Sequence, residues 1–75
     1  TGNSYMEYVT NLGKIIQVNY WENSNKLRKL FTKNIVYNNN NPISVTTINE
    51  TNNKTLIVTM EYVGNTISNV TKVVL

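Results

Sequence analysis

Apolar and polar residues alternate along most of this chain with the period of a pleated strand. Between residues 54 and 63, Leu56, Val58, Met60 and Tyr62 fall on one side and Thr55, Thr59 and Glu61 on the other, with Ile57 the exception. A period of two describes a sheet with one buried side. By the same count Ile16, Val18 and Tyr20 share a side, as do Met6 and Tyr8. Clusters rich in asparagine cut the apolar runs, and asparagine suits corners because its side chain mimics a turn and it tolerates positive φ. Six strands are therefore predicted, near 4–10, 14–21, 27–37, 43–49, 54–63 and 66–74. Strand 27–37 is less tidy: Leu27, Phe31, Ile35 and Tyr37 lie on one side but Leu30 and Val36 on the other. That pattern fits a strand covered on both faces, or a bulged one. Gly64-Asn65 gives the sharpest turn signal, since a two-residue hairpin needs the positive φ that these residues adopt cheaply. Connections this short force antiparallel neighbours, so the expected fold is all-β, an antiparallel meander.

Composition supports strands over helices. Thr, Val, Ile and Tyr dominate the segments between turns and alanine is absent; β-branched and aromatic side chains suit a pleated surface. Asparagine makes up a fifth of the residues and gathers at the predicted corners.

An internal repeat runs through the chain. Met6-Glu7-Tyr8-Val9 recurs as Met60-Glu61-Tyr62-Val63, 54 residues on, and each copy leads through a Gly/Asn turn into an apolar run, Ile15-Ile16-Gln17-Val18 or Ile67-Ser68-Asn69-Val70. Between them, Leu30 to Tyr37, then Asn38 to Asn41 and Ile43-Ser44-Val45, reads as the same unit with a longer turn. The predicted unit is a two-stranded repeat of about 27 residues, which buries its apolar side only by leaning on the next.

This order of features resembles the tyrosine-and-turn repeats, akin to YD repeats, of bacteriophage tail-fibre and other virion proteins and of some bacterial surface proteins. It is carried here by Tyr8 to Val18, Tyr37 to Val45 and Tyr62 to Val70. The chain departs from the pattern in having no aspartate, so that Tyr37-Asn38 and Tyr62-Val63 stand in place of Tyr-Asp. The resemblance implies a structural or attachment part of a virion, with no catalytic residues to carry over.

Length points the same way. Seventy-five residues make one small domain at most, a single β-repeat module over 1–75, and a domain of this size rarely draws more than about 3 to 5 kcal/mol from its own core. Cysteine and histidine are both missing, which closes the usual routes of disulfide and metal reinforcement. Burial against neighbours is left, either identical copies or the rest of a longer chain. The start at Thr1, without methionine, is expected of a processed product or of a part of something larger.

The same absences bear on chemistry. Without His, Cys or Asp there is no Ser-His-Asp or Cys-His arrangement and no imidazole base. Glu7, Glu22, Glu50 and Glu61 are the only acids; a two-carboxylate site from Glu7 and Glu61 is conceivable, but repeated surface positions explain them more simply. Three scattered glycines make no phosphate loop, and no stretch resembles a signal peptide or a membrane span of about 20 apolar residues. No enzyme, cofactor, metal or membrane partner is expected.

Two features remain as candidate contact sites. With the Ile16, Val18, Tyr20 side inward, Trp21 points away from it, with Ile15, and offers a large amphipathic platform for sugar or protein; with both faces covered, Trp21 is simply packed. Lys26, Arg28, Lys29 and Lys33 supply over half of the positive charge in a chain of net charge +3. They form the one place where an acidic partner would be felt; the plainer reading is a solvated strand edge carrying lysines against edge-to-edge pairing. The interface candidates are thus Trp21, Arg28, Lys29 and Lys33. The expected function is a structural component of a bacteriophage virion, in contact with other virion subunits or identical copies. The alternative is a glycan- or protein-binding module of a bacterial surface adhesin, extracellular or cell-surface; a small nucleic-acid binder is a distant third.

Overall fold

A computed structural model of the chain describes residues 4–75; Thr1 lies outside them. Six strands form one antiparallel sheet in simple sequence order: β1 (Tyr5–Asn11), β2 (Lys14–Trp21), β3 (Lys29–Asn38), β4 (Asn41–Asn49), β5 (Lys54–Val63) and β6 (Thr66–Val74). Among the described residues there is no helix. The all-β meander stands where the alternation places it, and β2, β5 and β6 have the predicted bounds.

The tight turns lie along one rim. Leu12 and Gly13 both hold positive φ, 52° and 77°, as a type I′ turn requires. Asn39 (φ 55°) and Gly64 (φ 61°) each open the turn of their own hairpin. Leu12 is the poor fit among them, because a left-handed conformation costs an ordinary L-residue roughly 1 to 2 kcal/mol, and its side chain is 90% exposed. Leu12→Asn is expected to stabilise the chain by about 0.5 to 1 kcal/mol, read as a higher urea midpoint; an unchanged or lower midpoint would contradict it.

On the opposite rim asparagine acts as the composition implies. The Asn23 and Asn25 side-chain oxygens accept the backbone N–H two residues ahead, at 3.3 and 3.0 Å, and those of Asn49 and Asn52 do the same at 3.0 and 2.9 Å. Each replaces a backbone turn by a side-chain one.

The three hairpins share a register. Pairing runs to Val9 opposite Gln17, Val36 opposite Ser44 and Glu61 opposite Asn69, then skips one residue, Ile16, Ile43 or Ser68, before the turn. Thr10, Tyr37 and Tyr62 thereby hold the same place, each opposite the second residue of the following strand. These places are 27 and 25 residues apart, so the Met6–Val9 match with Met60–Val63 runs two residues out of step with the hairpin geometry. Pro42 sits beside the bulge at Ile43, a position at which strands tolerate proline.

Strand β3 is bulged and not covered on both faces. Tyr20 stands opposite Phe31 but Trp21 opposite Lys29, leaving Leu30 over. Predicted to start at 27, β3 starts at Lys29. A backbone bond from the Glu22 N–H to the Arg28 carbonyl, 2.9 Å, closes the loop, and Lys26 turns through φ 58°; Leu27 is left at the tip, 85% exposed.

The sheet is a single layer measuring 42 × 29 × 19 Å. Each strand touches only its neighbours in sequence. Among the described residues Val18 is the one buried hydrophobic side chain, against fifteen large apolar or aromatic residues left exposed. The chain shows 5495 Å² to solvent, where a compact monomer of its mass shows about 4,700 Å².

Candidate assembly surfaces

Register and pleat sort the side chains onto two unlike faces, because residues directly opposite each other in neighbouring strands point the same way. On the first, Tyr20 meets Phe31 edge to face, with ring centres 6.2 Å apart at 85°. Ile35 stands opposite Val45, which stands opposite Val58; Leu56 faces Val74 and Met60 faces Val70. This is the predicted apolar side, now continuous from Met6 and Tyr8 on β1 to β6. Its charges are Lys33, Lys54 and Lys72, with no carboxylate among the described residues.

The second face is amide- and hydroxyl-rich. Asn19 donates to the Gln17 side-chain oxygen at 3.2 Å, and Gln17 donates to Asn34 at 2.8 Å. The buried Thr32 hydroxyl donates to Glu50 Oε2 at 2.6 Å. Ser44, Thr46, Thr59 and Thr71 continue the polar rows, interrupted by Ile48, Ile57 and Val73. Ile57, the exception to the alternation, is thus an apolar residue on the polar face, between Thr46 and Val73.

Trp21 lies on this polar face, but not as a free platform. Its Nε1 donates to Glu7 Oε1 at 2.9 Å, the other Glu7 oxygen takes the Lys26 ammonium, and Lys29 Nζ stands 5.4 Å above the indole. Ile15 does not accompany it: the bulge at Ile16 breaks the parity and puts Ile15 opposite Thr10, on the apolar side. The nitrogen donors Lys26 and then Trp21 hold the Glu7 carboxyl below its usual range, and Glu7 in turn holds Lys26 above its own.

The sign of the pH effect follows. A carboxyl lowered by folding lends stability that is complete above its ordinary range and is lost as pH falls through the lowered value; for Lys26 the contribution is complete below its ordinary value and is lost as pH rises through the raised one. Native chain and Glu7→Gln are expected to differ in unfolding midpoint at neutral pH and to converge in acid. A gap that persists undiminished at pH 2 would overturn this.

The basic cluster does not form one patch. Arg28 pairs with Glu22 at 3.3 Å in the loop, Lys26 pairs with Glu7 beside the Tyr5 ring, Lys29 stands over Trp21, and Lys33 crosses to the apolar face, 5.8 Å from the Tyr20 ring. Nor is β3 an edge, as the lysine-protected reading requires; it is internal, between β2 and β4. Glu7 and Glu61 stand on β1 and β5, four strand spacings or about 19 Å apart across the sheet and six residues apart along it, beyond the reach of a two-carboxylate site. No group of three or more potential metal-ligating residues occurs among the described residues.

Two contacts have no counterpart in the sequence reading. Tyr37 donates its hydroxyl to the Ile15 carbonyl at 2.8 Å, and Tyr62 donates to the Pro42 carbonyl at 2.7 Å. Both tie an odd-numbered strand to the strand before it, next to a bulge. The recurrence of Tyr before a turn was visible in the sequence; its acceptor, some 20 residues upstream, was not. Comparison of the chain with protein-family models, with curated proteins and with solved structures finds no match to any of them.

Proposed function

We propose that this chain is a structural assembly module, completed by neighbouring subunits. The tyrosine-and-turn resemblance suggests its setting, a fibre, tail or capsid-associated part of a bacteriophage virion. One observation carries the reading: a single-layer sheet with one buried hydrophobic residue. Burial of apolar area is the main favourable term in folding, and no second layer covers this apolar face, which keeps Met6, Tyr8, Phe31, Val70 and Val74 exposed and its inner-strand residues only half-buried. The surface in excess of a compact monomer is about 800 Å², the share one partner contributes to a standard protein interface.

The proposed unit of assembly is the two-stranded hairpin; three hairpins lie side by side here, and the recurrence of about 27 residues read from the sequence supports them as repeats of one unit. Analytical ultracentrifugation is the direct test. Concentration-dependent association of the chain, reversed by Leu56→Lys on the apolar face, is expected; a monomer that melts cooperatively in dilute solution would overturn the reading. The adhesin alternative has no such support, because Trp21, which would stack on a sugar, is already occupied by Glu7 and Lys29.

A further inference from the structure

The two junctions between hairpins are built alike. Pairing of β2 with β3 begins at Gln17 opposite Asn34; three residues beyond Asn34, Tyr37 reaches the carbonyl of Ile15, two residues before Gln17. Pairing of β4 with β5 begins at Ser44 opposite Thr59; three residues beyond Thr59, Tyr62 reaches the carbonyl of Pro42, two residues before Ser44. In each case the hairpin bulge bends the strand away, the ladder stops, and a phenol spans the gap to a carbonyl beyond its end. The spacing is the same to the residue.

The third hairpin repeats the receiving half. Its register shift leaves Ser68 over, as those before leave Ile16 and Ile43, which puts Asn69 in the place of Gln17 and Ser44, and Ile67 in the place of Ile15 and Pro42. Among the described residues no strand pairs with the outer side of β6. All nine of its residues are exposed. It is long for an edge, has no proline and carries the single charge of Lys72, so the devices that usually blunt an edge strand are nearly absent.

We propose that the β6 edge is a docking site for an antiparallel strand from another subunit, whose tyrosine hydroxyl donates to the Ile67 carbonyl while the residue three positions before that tyrosine stands opposite Asn69. This rests on the assembly reading and names its partner. The incoming strand has the signature of β3 and β5: Tyr, with an apolar residue two positions before it, as Ile35 and Met60, and a second six before, as Phe31 and Leu56. A second copy of this chain does not supply it. Its open odd-numbered strand is β1, where Thr10 holds the place of Tyr37 and Tyr62, and a threonine side chain is too short to span the gap. The partner is therefore a different subunit of the same hairpin design.

The test uses the full chain and a fluorescent peptide of the sequence of residues 54–63, N-methylated along one side so that it pairs by the other alone. Binding is expected with new hydrogen-exchange protection at alternate β6 amides and none at β1. Replacing the peptide's tyrosine with phenylalanine is expected to weaken it about five-fold, the effect of one hydrogen bond. Equal affinity of the two peptides, or protection at β1, overturns the docking site while leaving the assembly reading intact. Binding that shifts the Leu56 and Val58 methyls without protecting β6 does the same. A chain that stays monomeric, melts cooperatively and binds neither peptide overturns both.

Discussion

Val18→Asn is expected to unfold the isolated chain at low concentration. Val18 is 6% exposed at the centre of β2, between Tyr8 and Lys33. Removing its apolar burial costs about 1.5 kcal/mol, and placing an amide there without a partner costs roughly 1 to 3 kcal/mol more. The sum, about 2.5 to 4.5 kcal/mol, is comparable to what a core of this size supplies in all. The proposed assembly would stabilise the folded form by mass action, so raising the concentration is expected to restore the sheet. Far-UV circular dichroism across a hundred-fold concentration range reads both effects. A variant that stays folded when dilute would mean that stability resides elsewhere, in the strand ladders and turns.

Trp21→Ala is expected to cost about 2 kcal/mol, near half the loss for a fully buried tryptophan, since the indole is half-buried. The change also releases Glu7 from one of its two donors, so its carboxyl is expected to rise toward the ordinary range while Lys26, the larger influence, keeps it depressed. Trp21→Phe separates the parts: it keeps a ring beneath Lys29 and lacks the N–H. Urea denaturation and an NMR titration of the Glu7 carboxyl measure the two consequences. A fully stable Trp21→Ala that has lost a glycan ligand would restore the adhesin alternative.

The strands were legible because their signals are local. The alternation across Leu56, Val58, Met60 and Tyr62, and the turns at Leu12-Gly13 and Gly64-Asn65, need no knowledge of a neighbour. Where parity breaks, reading fails. Leu30 and Ile16 are surplus residues in bulges, and a count by twos carried through them puts Ile15 beside Trp21 when it stands on the other face. The same limit applied to the contact sites. Trp21 was legible as a large side chain pointing off the apolar side, but its partners come from Glu7 on β1 and Lys26 in a loop, and their meeting depends on strand register. Lys29 and Lys33 are four apart in sequence and lie on opposite faces because Leu30 shifts the pairing between them and β2. The bareness of the sheet was foreseen only as a shortage of core, since periodicity reveals that a face is apolar and says nothing of what covers it.

Since each strand is held solely by the ones before and after it, the molecule is expected to open as a one-dimensional row, from its outer strands inward. Outer members peel first, so native-state proteolysis begins at β1 and β6 and reaches β3 and β4 last. The short separation in sequence between paired strands also makes for rapid zipping, which would give a newly made chain a finished margin for the docking proposed at β6.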